Sequence, residues 1–157
     1  MRRSLLLLTG IVAMTVGVVL GATFATADQP DPLFASLSGF NEGNATTNRG
    51  AGDPDGWGAA DVTIDGTTLC YGLTVANIST PINAHIHAGR KSENGPPVVQ
   101  LTWPSTGDPG AASGCVEVSP AVAHDLATHP HDYYVNVHTG DFPGGAVRGQ
   151  LFLRQPS

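Results

Sequence analysis

Charge is scarce in this chain of 157 residues: only 13% of the side chains are charged and 6% are aromatic. Seven lysines and arginines stand against 13 aspartates and glutamates, and beyond the N-terminus Arg90-Lys91 is the one adjacent basic pair. A nucleic-acid partner is therefore not expected, because affinity for a polyanion depends on neutralising many phosphates. There is no Gly-x-Ser-x-Gly nucleophile elbow; Ser38 and Ser113 lie near glycines but lack the strand-to-helix setting. No phosphate-cradling loop is present. The acidic residues fall mostly where turns are expected (Asp53, Asp55, Asp65, Asp108, Asp141), as solvated turn-formers do. Helical periodicity is almost missing too, which argues against a bundle or an α/β domain.

The only long apolar run spans Leu5 to Leu20. Arg2 and Arg3 precede it, and Ala25-Thr26-Ala27 follows. A basic start, an apolar middle and a small-x-small end make residues 1–27 read as a cleaved signal peptide, with residues 28–157 as one exported domain. The paired arginines leave Sec and twin-arginine routes both open. No membrane span is expected in the mature chain, since Leu151-Phe152-Leu153 is too short to anchor it. Cleavage removes two of the seven basic residues and none of the acidic ones, so the net charge moves from −6 to −8. Cys70 and Cys115 are the only cysteines. Export makes a disulfide between them the expectation, with a pair of metal thiolates as the alternative.

Past residue 28 the chain alternates short apolar–polar runs with Gly, Pro, Asn and Asp, which predicts an all-β domain. Strands are expected at 33–40, 59–64, 67–75, 82–87, 98–103, 115–118, 133–138 and 146–153. A long polar loop fills 41–56, and Asp65-Gly66 marks a hairpin. One short helix is expected after Ser119, which can cap, with Pro120 in the first turn and Val122 and Leu126 on one side. About eight short strands suit an antiparallel Greek-key β-sandwich, superoxide-dismutase-like or immunoglobulin-like, and a closed barrel would give much the same pattern.

Strand alternation carries the sharpest inference. Within Ala84-His85-Ile86-His87, both histidines share one face and Ile86 takes the other. Within Tyr133-Tyr134-Val135-Asn136-Val137-His138, Val135 and Val137 oppose Asn136 and His138. If the aliphatic residues fill the core, His85, His87, Asn136 and His138 all turn outward. Two imidazoles at i and i+2 can converge on one ion with a third from a neighbouring strand. Imidazole suits copper, with zinc as second choice. A fourth ligand would come from His131, His129 or His124, each of which also reads as a solvated loop or helix-surface residue. Asn136 and Arg148 are candidates to support the site, and Arg148 would either bind an anion or hydrogen-bond a loop carbonyl. The alternative for the histidines is structural: imidazoles that hold loop backbone against the sheet.

These residues carry a family resemblance. Ala84-His85-Ile86-His87-Ala88-Gly89, then Asn94-Gly95-Pro96 and Val98-Val99-Gln100-Leu101, resemble the central signature of the chordin-type (CHRD) domain. Tyr134 to Thr139 and Pro143 to Leu151 resemble its closing signature, and Leu37-Ser38-Gly39 its start. The likeness covers about residues 33–153. In one place the chain departs: Phe40-Asn41-Glu42-Gly43-Asn44 stands where the family usually has a Glu-Val-Pro-Pro segment. The resemblance implies a secreted interaction module whose partner is an extracellular protein or glycan, and no agreed enzymatic activity. A weaker likeness is to copper/zinc superoxide dismutases. By it His85, His87 and His138 would be copper ligands and the chain an oxidoreductase, yet residues 88–114 contain no histidine to serve as the bridging ligand. A purely structural envelope or matrix protein is the third reading.

Overall fold

The computed structural model describes residues 32–154, apart from 44, 45, 47 and 48. The expected signal peptide lies outside the described residues.

The described residues form nine strands and one α-helix: β1 (Leu33–Ser38), β2 (Trp57–Asp65), β3 (Thr68–Ala76), β4 (Pro81–Ala88), β5 (Pro97–Leu101), β6 (Gly110–Glu117), α1 (Pro120–Thr128), β7 (Tyr133–Thr139), β8 (Val147–Gln150) and β9 (Phe152–Leu153). All pairings are antiparallel, in the order β5-β4-β7-β8-β1-β2-β3-β6, with β9 added to β1. The chain therefore runs β1-β2-β3 as a meander and crosses to β4-β5. It then crosses back to β6 and returns through α1 to β7-β8. Crossings of this kind are the Greek-key habit of antiparallel folds. The sheet curls until its two ends come close: the Thr102 amide, just beyond β5, donates to the Tyr71 hydroxyl of β3 at 2.6 Å. The result is an all-β sandwich, nearly closed into a barrel.

Alternation explains the core. Leu33, Ala35 and Leu37 of β1, Leu69, Tyr71, Leu73 and Val75 of β3, and Ile86, Val135 and Val137 all point inward and are buried. Each fully buried Leu, Ile or Val contributes roughly 1.5–3 kcal/mol. The helix forms as its sequence requires. The Ser119 side chain accepts from the Val122 amide, Pro120 occupies the first turn, and Leu126 is sealed against the core.

Several strand boundaries differ from the sequence expectation. The first strand stops at Ser38 because Gly39 opens a 310 turn whose amide reaches Gly56 at the far end of the long loop. β6 starts at Gly110 rather than 115: Gly110-Ala111-Ala112-Ser113-Gly114 has little intrinsic strand preference, but it pairs with β3 over its whole length. Pairing decides where propensity is silent. The expected last strand is two strands. At Leu151 the chain leaves β7 for β1: Leu151 donates to Tyr133, while Phe152 already faces Phe34. The cysteines form the expected disulfide, joining directly opposed residues of β3 and β6.

Candidate metal centre

β4 and β7 are neighbours, registered so that Ile86 opposes Val135 and Ala84 opposes Val137. All four side chains are in the core, so the alternate residues His85, His87, Asn136 and His138 lie on the other face. That face is not open to water. The described residues of the segments 39–56, 88–96 and 139–146 fold over it, leaving Asn136 and Arg148 almost fully buried and His87 at 9% exposure. His85 and His138 are half-buried.

The three imidazoles converge: one nitrogen from each of His85, His87 and His138 lies within 4.8 Å of the others. His85 Nδ1 and His138 Nε2 are 3.2 Å apart. The other contacts settle which nitrogens carry protons. His87 Nδ1 donates to the Gly95 carbonyl at 2.9 Å, and His138 Nδ1 donates to the Pro143 carbonyl at 3.0 Å. A carbonyl only accepts, so in both rings the free lone pair is on Nε2. His87 Nε2 is buried and has no hydrogen-bond partner among the described residues. An orphaned buried polar atom of this kind ordinarily costs about 1–3 kcal/mol. Burial pushes all three imidazoles below the ordinary histidine range, keeping them neutral, the form that ligates a cation.

A second layer supports the rings. The Tyr134 ring stacks on His87 at 4.8 Å, and the Arg148 guanidinium lies 3.4 Å over Tyr134. Arg148 donates to the carbonyls of Arg90 and Glu93 and to Asn94 Oδ1. Its fork therefore clamps the 88–96 segment whose Gly95 holds His87. Of the two sequence readings of Arg148, this is the loop-carbonyl one. Gly95 itself is required there, since a Cβ would come 1.5 Å from the Ala88 carbonyl oxygen. Asn136 donates weakly to Gly144, and its Oδ1 has no partner among the described residues. Gly145 (φ 143) packs against this amide, where a Cβ would lie 2.3 Å from Glu42 Oε2 and 2.5 Å from Asn136 Oδ1.

The remaining histidines are elsewhere. His124 is on the exposed side of α1, and His129 closes the helix, pairing with Asp125 at 3.0 Å. His131 sits in the following 310 turn, 3.7 Å from Asp132. None joins the cluster. Two participants escaped the sequence reading. Tyr134 shares the phase of Asn136 and His138, so alternation could have named it. Glu42 could not have been found: it lies in a glycine- and asparagine-rich loop, yet is 3% exposed. Burial raises its carboxyl above the usual range, against the opposing pull of Arg148.

Comparison with curated proteins gives no match, and neither does comparison with solved structures. The CHRD domain model matches residues 33–151, from the first residue of β1 to the break between β8 and β9. It therefore takes in the paired strands β4 and β7, both loop anchors of the histidines and the Arg148 clamp. A match over this much of the chain means that the protein belongs to the CHRD domain family.

Proposed function

We propose that this CHRD domain is an exported interaction module that binds copper through His85, His87 and His138. Membership of the family supports an extracellular-type interaction module in general. The disulfide is compatible with an extracellular setting, and no helix among the described residues is long and apolar enough to cross a membrane. The partner on this reading is an extracellular protein or glycan.

The observation that carries the metal assignment is the orphaned, buried His87 Nε2 beside two other imidazole nitrogens. Holding loops in place accounts for the Nδ1 contacts of His87 and His138. It does not account for three lone-pair-bearing rings converging on one spot. The donor set is all imidazole, with no carboxylate or thiolate in the group. That favours copper over the hard cations, and the affinity order of divalent ions places copper above zinc.

Binding is preferred to dismutase-type catalysis for a specific reason. Residues 88–114 hold no histidine, and His124, His129 and His131 sit on the helix and its exit, outside the cluster.

The test is calorimetry with copper and with zinc on the purified protein and on a His85→Ala, His87→Ala double variant. Tight one-to-one copper binding that disappears in the variant is expected. Absence of binding to the parent protein would leave the histidines as loop anchors. A copper-loaded protein that removes superoxide faster than free copper would favour the oxidoreductase reading instead.

A further inference from the structure

Outside residues 1–27 the chain has five basic side chains: Arg49, Arg90, Lys91, Arg148 and Arg154. In a chain with 13 acidic residues, chance would scatter them. Three of the five line a single cleft of about 370 Å3 on the outer face of β1, β8 and β9, and Arg154 lies 5.3 Å over the ring of Phe34 in its wall. Among the described residues, no carboxylate lines the cleft.

Its construction follows from the sheet. Phe34 of β1 and Phe152 of β9 are directly opposed and share the outward face, forming an aromatic floor. Phe152 is 55% exposed, so its ring face is accessible from the cleft. Arg49, on the long loop after β1 with its guanidinium 5.6 Å over the Phe40 ring, and Lys91, on the loop after β4, both line the cleft. Neither forms an ion pair with any described residue. Arg90 and Arg154, by contrast, are paired with Asp132 and Asp61. Ser36, Ser92 and Gln150 add hydroxyl and amide groups to the lining.

We infer that this cleft binds a carboxylate carried on a ring, with the acid held by Arg49 and Lys91 and the ring laid against Phe34 and Phe152. The guanidinium fork matches a carboxylate in two hydrogen bonds, and Lys91 adds a point charge to the same lining. Aromatic side chains bind flat or CH-rich ring faces. The cleft falls in the size range of small-molecule sites and has room for one or two rings. Two sources share this chemistry: a free aromatic acid and a uronic-acid residue of an acidic glycan. The cleft does not depend on the metal assignment, since it contains none of the three histidines.

The experiment is equilibrium binding followed by NMR, on the purified protein without added metal. The probes are 2-naphthoate and trigalacturonate, with 2-naphthalenemethanol and galactotriose as their neutral counterparts. One of the acids should bind, with shifts at Phe34 and Phe152, while its neutral counterpart does not. Whichever acid binds identifies the source. An Arg49→Gln, Lys91→Gln variant changes exposed side chains only. It should weaken binding about tenfold or more, the equivalent of one lost charge-assisted hydrogen bond. Phe152→Ser should weaken it as well, and His85→Ala with His87→Ala should leave it unchanged, which separates this cleft from the copper site. The proposal is overturned if neither acid binds, if the neutral counterpart binds equally well, or if the charge variant retains full affinity.

Discussion

His85 Nδ1 meets His138 Nε2 at 3.2 Å across the β4–β7 pair, although 53 residues separate them in the chain. Without a cation, only one of these nitrogens can carry the shared proton, and His87 Nε2 is left with no partner at all among the described residues. A cation would satisfy all three lone pairs at once. Copper should therefore stabilise the native state specifically. At a hundredfold excess over Kd, a ligand that binds only the folded chain adds about 2.7 kcal/mol. For a domain of this size that is a rise on the order of 10 °C in Tm. Differential scanning calorimetry with and without copper checks it. His138→Ala should abolish the rise, whereas His131→Ala, on the exposed turn, should leave it intact.

The disulfide makes a separable prediction. Cys70 and Cys115 face each other across β3 and β6, 45 residues apart in sequence, and β6 is the edge of the sheet. Removing both sulfurs with Cys70→Ala, Cys115→Ala frees the unfolded chain and should cost about 3–4 kcal/mol. Urea denaturation will show it as a lower midpoint with the fold retained, because the strand pairing on either side of the bridge remains. Neither strand carries a site residue, so copper affinity of the folded variant should not change.

Arg148 should tolerate no conservative replacement. Its two terminal nitrogens reach three acceptors on one loop while its plane lies over Tyr134. A lysine ammonium can neither span those acceptors as a fork nor stack as a plane. Arg148→Lys is expected to lose about 2–3 kcal/mol by breaking hydrogen bonds that a buried cation makes to this loop. Amide hydrogen exchange should quicken first in residues 88–96, since that is the segment the guanidinium holds.

What alternation could and could not reveal is visible in these residues. The shared phase of His85, His87 and His138 follows from a period of two, which depends only on local geometry. So do the inward Leu69, Tyr71, Leu73 and Val75, and the Ser119 cap follows from an equally local rule. The burial of Arg148 and Glu42 is different in kind. The bond of Arg148 to loop carbonyls was legible as one of two roles, but its burial follows only because distant loops close over the sheet. The strand at Gly110–Gly114 was equally illegible, because its pairing with β3 rather than its own residues makes it a strand. The basic cleft is another product of tertiary folding: Arg49 and Lys91 stand 42 residues apart in sequence and line one cleft only because two loops flank the Phe34–Phe152 pair.

Glu42 supplies a pH-dependent test. It is buried, one carboxyl oxygen has no partner among the described residues, and desolvation raises its pKa above the ordinary 4.5 despite Arg148 nearby. In the window between 4.5 and the raised folded value, the native state holds a proton that the unfolded chain has lost. Stability contributed by this group is therefore complete below 4.5 and declines as pH rises through the folded pKa. Glu42→Gln keeps the shape and cannot ionise. Its Tm relative to the parent should climb as pH rises from 4 to 7, and it should match the parent most closely at the acid end. Thermal melts across that range decide the matter. A difference that stayed flat with pH would mean that burial and Arg148 cancel, and one that fell as pH rose would mean that Arg148 outweighs burial.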